Sequence, residues 1–467
     1  MIDPGGVLGE IVARKRIDVA ERLAGISLDD LRARAEPTRR SLKAALGAPG
    51  ARFVMEVKRT SPSKGVLRAG ADPIEIARGY AGAADAISVL VDTPYFGGSY
   101  ADLKAVRGVF EGPILAKDFV VDPRQVPEAR LHGADAVLVM LSVLEDDEAA
   151  AVVAEAHRLG MDALVETHTE EEVHRAISLG AEIIGINNRQ LKTLEIDLAV
   201  TEQLAHLVPA DRILVAESGI ESRADVERLA PHADAFLVGS SLMSAPDPRL
   251  AARALAFGRV KVCGLTDEDD AVAAAREGAS FAGLIMVPGT PRAVTVERAQ
   301  RIAAASGLPA VGVFRNEKLL QVAQAAHALG LHAVQLHGQE DAAYIRALRA
   351  HLPDAVEIWA AAAVEGDVPA ARAGADRTLF DTAKNGTSGG TGSAFDWSLL
   401  AGREDLAGGI LAGGLSPDTA AAAARVGAYA LDVSSGVESA PGRKDAAKLH
   451  AFFEGLRLPV RKEIASC

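Results

Sequence analysis

Short apolar runs rich in Val, Ile and Leu recur along the chain, and longer stretches with apolar residues at helical spacing separate most of them. In the first half the runs are FVMEV (53–57), AISVLV (86–91), PILAKDF (113–119), AVLVML (136–141), ALVETH (163–168), IIGINN (183–188), ILVAES (213–218) and AFLVGS (235–240). The second half repeats the pattern in VKVCGL (260–265), AGLIMV (282–287), AVGVF (310–314), AVQLHG (333–338), EIWAAA (357–362), TLFDT (378–382), GILAGG (409–414) and ALDVSS (430–435). Intervening segments such as DDEAAAVVAEAHRLG and TEEEVHRAISLG are amphipathic and end in Gly, as helix C-termini often do.

Alternating strands and helices predict parallel sheets built from right-handed βαβ units. Eight such units in roughly 200–250 residues suit a closed (β/α)8 barrel better than an open doubly wound sheet. An open sheet would carry a Gly-rich dinucleotide turn after its first strand, and neither half has G-x-G-x-x-G there or a G-x-x-x-x-G-K-[ST] anywhere. The chain therefore reads as two tandem (β/α)8 barrels, residues 1–257 and 258–467. They are joined through ARALAFGRVKVCGL with almost no linker. The first fifty residues precede the first strand, have a helical pattern and are expected to pack over the first barrel.

Composition narrows the partners. With 467 residues, 49% hydrophobic and 24% charged, the chain suits a globular protein of two or three domains. A formal net charge of −13 argues against nucleic acid or an anionic membrane as partner, but leaves room for anionic small molecules in a locally positive pocket. Two cysteines, Cys263 and Cys467, offer neither a disulfide framework nor zinc spacing, which fits a reducing cytoplasm. The start MIDPGGVLGEIVARKRID lacks the apolar core of a signal peptide, and stretches such as 278–291 are too broken by Gly and Pro to span a bilayer.

The chemistry gathers at strand ends, where barrel enzymes carry it. In MEVKRTSPSKG, Glu56 and Lys58 are two apart on one strand and face the same way. Lys117, Glu166, Asn187 with Arg189, and Glu217 with Ser218 end later strands. Solvated strand ends would scatter over both rims, whereas these opposed charges converge on one. Such a ring holds an anionic substrate and keeps an acid and a base of different pKa within reach. ESGIES and LVGSSL follow strands seven and eight, where barrels often hold phosphate, and Gly219, Gly239 and Ser240 suit that role.

The second barrel has the same corner in LAGGLSPD and LDVSSGVESAPGRKD. Cys263 ends its first strand and Asp381 its sixth, a plausible thiol–carboxylate acid/base pair opposite each other. Unperturbed, such a pair holds its protons the wrong way round, with thiols near ~8.5 and aspartates near ~3.9. Either helix N-termini at the rim lower the thiol, or burial under the following loop raises the acid, or the pair works through a minor protonation state. The loop KNGTSGGTGSAFDW is expected to cover the site, and His327, His332 and His337 read as surface or core histidines.

These same residues carry a family resemblance. Through EVKRTSPSKG, PILAKDF, DAVLVMLSVL, VETHTEEE, GINNRQLKTLEID, VAESGI and LVGSSLM, the first half resembles indole-3-glycerol-phosphate synthase. Through KVCGLT, PGTPR, VGVFRN, VQLHG, LFDT, GGTGSAFDW, LAGGL and DVSSGVES…GRKD, the second resembles phosphoribosylanthranilate isomerase. The order is that of the fused bifunctional enzyme of tryptophan biosynthesis.

The resemblance implies that Lys117 is the general acid of ring closure and Glu166 the acid/base of dehydration. Glu56, Lys58 and Asn187 would position substrate, Arg189, Glu217 and Ser218 would line the pocket, and Ser61, Gly219, Gly239 and Ser240 would hold phosphate. In the isomerase half, Asp381 would protonate the ribosyl ring oxygen and Cys263 would take the C2′ proton. Arg292 would meet the anthranilate carboxylate, and Gly414, Ser434 and Ser435 the phosphate. No metal, nicotinamide or pyridoxal is implied, and a monomer acting on phosphorylated small molecules is expected. IWAAAAV stands where relatives often have IWKA, and Asp418 where they have Asn, which bears on affinity more than activity. The rival readings are a Schiff-base aldolase using Lys58 or Lys117, and a catalytically silent half that only binds phosphosugars.

Overall fold

All eight apolar runs of the first half become strands, and the strands close on one another. The computed structural model describes residues 5–61, 65–190, 193–384, 387–388 and 394–464. The strands are β1 (Arg52–Val57), β2 (Ala86–Leu90), β3 (Ile114–Lys117), β4 (Ala136–Met140), β5 (Asp162–Thr167), β6 (Ile183–Asn187), β7 (Ile213–Glu217) and β8 (Ala235–Val238). Each runs parallel to the next, and β8 returns to β1 in the register Arg52↔Ala235 to Met55↔Val238. Closure leaves no sheet edge. Helices cover the outer face, so every residue of β1 and β4 is buried.

The second half forms β9 (Arg259–Cys263), β10 (Phe281–Ile285), β11 (Ala310–Phe314), β12 (Ala333–Leu336), β13 (Glu357–Val364), β14 (Arg377–Lys384), β15 (Ile410–Ala412) and β16 (Ala430–Val433). These are also parallel and also closed, β16 pairing with β9 and β13 with β14. Phe281, Val311, Trp359, Leu379 and Ile410 share one core cluster.

Polar caps start the connecting helices. Thr169 accepts from the Glu172 N–H ahead of Glu170–Ser178, and Asp341 from the Tyr344 N–H ahead of Ala342–Arg349. The helices after β9, β10 and β11 stop at Gly278, Gly307 and Gly330, each in the left-handed conformation that glycine adopts most cheaply. The alternation then lapses. No helix follows β13; among the described residues only the short strand Thr387–Ser388 and 3-10 turns follow β14, and a 3-10 turn with Ala420–Ala424 follows β15. In EGDVPAARAGAD (365–376), Gly366, Pro369 and Gly374 break any apolar stripe, so a helix there would have nothing to bury.

Ahead of β1 lie α1 (Gly6–Arg22), α2 (Leu28–Arg34) and α3 (Leu42–Leu46). Helix α1 buries Leu8, Ile11, Val12 and Val19, and on the same face Lys15. The Lys15 Nζ lies 2.7 Å from Asp118 and 3.5 Å from Asp92, residues just beyond β3 and β2. This buried ammonium pins α1 across the C-terminal ends of the strands.

The chain separates into two compact units, Met1–Ala256 with Leu458–Cys467, and Phe257–Arg457. The division expected at 257/258 gave the last segment to the second barrel, whereas it lies with the first. Its attachment is polar and specific. Ala51 N–H donates to Leu458 O at 2.8 Å, and Gly50 N–H to the Glu463 carboxylate at 3.2 Å. Arg461 in the short helix Arg461–Ile464 donates to buried Asp234 at 3.0 Å and to the carbonyls of Val208, Pro209 and Arg212. These groups precede β1, β7 and β8, so the segment clasps the end of the barrel opposite the charged rim. Among the described residues no helix is long and apolar enough to cross a membrane.

Candidate active sites

At the C-terminal end of the first barrel the side chains of β1, β3, β5, β6 and β7 converge on one cavity. Glu56, Lys58, Ser61, Lys117, Glu166, Asn187, Arg189, Glu217, Ser218, Gly219, Gly239 and Ser240 all line it. Lys117 Nζ lies between two carboxylates, 3.0 Å from Glu166 and 2.6 Å from Glu217. Lys58 pairs with Glu56 at 2.5 Å. Two glycines make room for these acids: a Cβ at Gly185 would lie 2.2 Å from Glu217 Oε1, and one at Gly239 2.4 Å from Glu56 Oε1. Ser218 and Gly219 are both left-handed, with φ of 65° and 85°. For a serine that conformation costs energy, and it turns the chain sharply out of β7.

The two acids flanking Lys117 are equally buried, and their charged and hydrogen-bonding neighbours drive them apart. Burial pushes the Glu217 carboxyl up to about 7 despite the lysine, and the neighbouring Glu166 charge adds to the rise. Burial acts on Glu166 too, but Lys117, His168 and hydrogen bonds from Lys117 and Asn187 hold it at about 2. Lys117 loses solvation as well, yet Glu217, Glu166 and Glu56 keep it charged well above its usual range. An ammonium held charged at rest, between an ionised acid and one poised near neutrality, can deliver a proton to a strongly basic oxygen and recover one from its neighbours.

The sequence reading did not place several lining groups. Val7, Leu8 and Ile11 come from α1, while Phe96, Phe119 and Met140 add an apolar wall suited to an aromatic ring. His168 sits with Nε2 3.5 Å from Glu166 and Nδ1 3.3 Å from Glu172. The alternation within VETH could have flagged it, since His168 lies two residues after Glu166.

In the second barrel Cys263, Arg292, Asp381, Gly414, Ser434 and Ser435 line one cavity with Gln335, His337 and Asp432. Arg292 is oriented by Glu438, with contacts of 2.9 and 2.7 Å. Lys444, also on Glu438, donates to the carbonyl of Cys263 at 2.7 Å. Gly413 and Gly414 are left-handed, and Ser434 Oγ donates to Cys263 O at 3.2 Å. His337 is neither a surface nor a plain core histidine: its Nε2 lies 3.4 Å from Asp381, and Gln335 meets its Nδ1 at 3.2 Å. The signal was its place at the end of VQLH, one strand end among others. Burial pushes the Cys263 thiol up rather than down, with Lys261 opposing, so the expected lowering by helix N-termini is not found. Much of the expected cover, residues 385–386 and 389–393, lies outside the described residues, as does Cys467.

Comparison with known proteins assigns each half of the chain to a family. Residues 8–255 match the family described as indole-3-glycerol phosphate synthase, and residues 260–455 match N-(5'phosphoribosyl)anthranilate (PRA) isomerase. The tryptophan biosynthesis protein TrpCF of Vibrio cholerae is 46% identical, over 97% of this chain and 96% of its own. That of Salmonella typhi is 46% identical over 97% and 99%, and that of Corynebacterium glutamicum 43% over 96% and 97%. With both halves matched in order and the relatives aligned nearly end to end, the chain belongs to the TrpCF family of bifunctional tryptophan-biosynthesis enzymes, a synthase barrel followed by an isomerase barrel.

Proposed function

We propose a residue-level division of labour for the two reactions. The isomerase comes first: N-(5-phosphoribosyl)anthranilate becomes 1-(2-carboxyphenylamino)-1-deoxyribulose 5-phosphate in the second barrel. Asp381 gives a proton to the ribosyl ring oxygen, the ring opens to an iminium, and the Cys263 thiolate removes the C2′ proton. The resulting enol tautomerises to the ketone. Arg292, held by Glu438, meets the anthranilate carboxylate, and Gly414, Ser434 and Ser435 hold the phosphate.

The synthase takes that ketone in the first barrel. Lys117 protonates the carbonyl oxygen as the aromatic carbon closes onto it. Its raised pKa is no obstacle, because the alkoxide that forms is more basic still. Carbon dioxide leaves, and Glu166 moves the protons of the dehydration. Glu56, Lys58 and Asn187 orient substrate, with Arg189, Glu217 and Ser218 around them. Ser61, Gly219, Gly239 and Ser240 form the phosphate corner. The working units are residues 1–256 with the segment from Leu458, and 257–457. The protein acts as a cytoplasmic monomer on phosphorylated small molecules, and its charge of −13 supports the absence of nucleic acid.

The observation that carries the reading is Lys117 bridging Glu166 and Glu217 in a cavity separate from that of Cys263 and Asp381. Lys117→Ala and Cys263→Ala, each assayed for both reactions, test it. Each should lose on the order of 10²–10⁴ in its own reaction and stay within a few-fold in the other. Loss of both activities in a folded single variant, or of neither, overturns the assignment.

A further inference from the structure

A base made of sulfur in a buried pocket needs something to keep the proton off it. Cys263 and Lys261 are two residues apart on β9 and so point to the same side of the barrel wall. Lys261 is fully buried, yet its Nζ donates to both oxygens of Asp432 on β16, at 2.9 and 2.8 Å. Its charge favours ionisation of the Cys263 side chain. Across the wall, a Cβ on Gly283 of β10 would lie 2.9 Å from Lys261 Cε and 3.0 Å from Cys263 Sγ. Sulfur and ammonium thus share one niche that only a residue without a side chain leaves open.

For stability alone this is a poor arrangement. A buried ion pair is often no better than well-packed apolar residues of the same volume. What it contributes is a fixed positive charge beside the described residues' one free thiol.

We propose that Lys261 is a positioning residue of the isomerase: its ammonium, held by Asp432, stabilises the Cys263 thiolate that removes the C2′ proton. This rests on Cys263 being the base. In the step, the C2′–H bond breaks and an S–H bond forms. The C–H electron pair becomes the C1′=C2′ bond, and the iminium π pair moves onto nitrogen. Lys261 transfers no proton; its charge lowers the cost of the thiolate that begins the step.

Other charged groups also face the sulfur. Lys444 reaches the Cys263 carbonyl and Arg292 lies on the loop after β10. Asp381 and His337 stand at the ends of β14 and β12, and Glu438 binds Lys444 and Arg292 from behind. Asp432 opposes ionisation of the thiol, whereas Lys261 and Lys444 favour it. This opposition of signs gives the test its discrimination.

The experiment uses the full chain carrying Cys467→Ser, which leaves Cys263 the only thiol. Thiolate ultraviolet absorbance is followed against pH beside the isomerase pH–rate profile. Lys261→Gln keeps a donor to Asp432 but no charge. It should raise the thiol titration by about 1–3 pH units. It should also lower kcat on the order of 10²-fold with a smaller effect on KM. Lys261→Arg should stay near wild type, and Asp432→Asn should move the titration down.

A Lys261→Gln protein with an unmoved titration and unchanged unfolding midpoint overturns the proposal. So does a shift of the same sign in Lys261→Gln and Asp432→Asn. If Lys261→Gln does not fold, the downward shift in Asp432→Asn decides. Cys263→Ala separates the two claims. If it isomerises normally, the base itself is wrong; if it is dead while folded Lys261→Gln is fully active, only the role of Lys261 fails.

Discussion

Replacing Arg461 by Ala should loosen the first barrel and leave the second untouched. The guanidinium is only 12% exposed and lies 3.0 Å from an Asp234 carboxylate that is 3% exposed. It also serves three carbonyls, of Val208, Pro209 and Arg212. Lys462, 3.8 Å from Asp234 and more exposed, is a poor substitute. Removing one partner of a buried pair costs about 3–5 kcal/mol. We take the lower end, about 3 kcal/mol, because Asp234 keeps the Leu214 N–H at 2.9 Å. For a unit of this size that lowers the midpoint by roughly 6–12 °C. The assay is built into the molecule. Its two tryptophans, Trp359 and Trp397, both belong to the second unit, so fluorescence follows that barrel while residual synthase activity follows the first. In Arg461→Ala the synthase curve should shift down and the fluorescence curve stay in place. The same separation should follow deletion from Leu458 onward, and a fragment cut near 257 should be active but less stable. Coincident wild-type curves in Arg461→Ala would refute the clasp.

Two further outcomes concern the charged rim. Folding raises Glu217 from an ordinary 4.5 to about 7, so between those pH values the folded protein holds a proton that the unfolded chain has lost. First-barrel stability present below pH 4.5 should therefore decline as pH rises to about 7, and Glu217→Gln should flatten that decline in heat-inactivation midpoints. An equal slope in the variant would count against a buried, titrating Glu217. Gly185→Ala puts a methyl 2.2 Å from Glu217 Oε1 and must displace the carboxylate. Synthase kcat should fall on the order of 10²-fold, with isomerase kcat unchanged as the internal reference.

All sixteen strands were legible because each is a local run of apolar residues, and the rim was legible because its polar residues end those runs. What escaped has no local signature. Lys117 and Glu217 meet across 100 residues, Lys261 and Asp432 across 171, and Arg461 and Asp234 across 227. Only closure of the barrels creates these pairs. Lys261 is instructive: alternation in VKVCGL puts it on the same side as Cys263, but nothing local to that run names the carboxylate it meets. The crossing from β13 to β14 shows the reverse, since the Gly and Pro of 365–376 deny a helix any apolar stripe and none forms there.

The clasp also sets a timetable for synthesis. A ribosome emits the first barrel's strands early, but the segment that seals its base follows only after the 201 residues of Phe257–Arg457. At roughly 5–20 residues per second this delay is on the order of 10–40 s. Through that interval the nascent barrel has Asp234 without Arg461, and Gly50 and Ala51 without Glu463 and Leu458. The first domain to leave the ribosome is thus the last to be finished, and a premature stop within the isomerase would strand a synthase still open at its base.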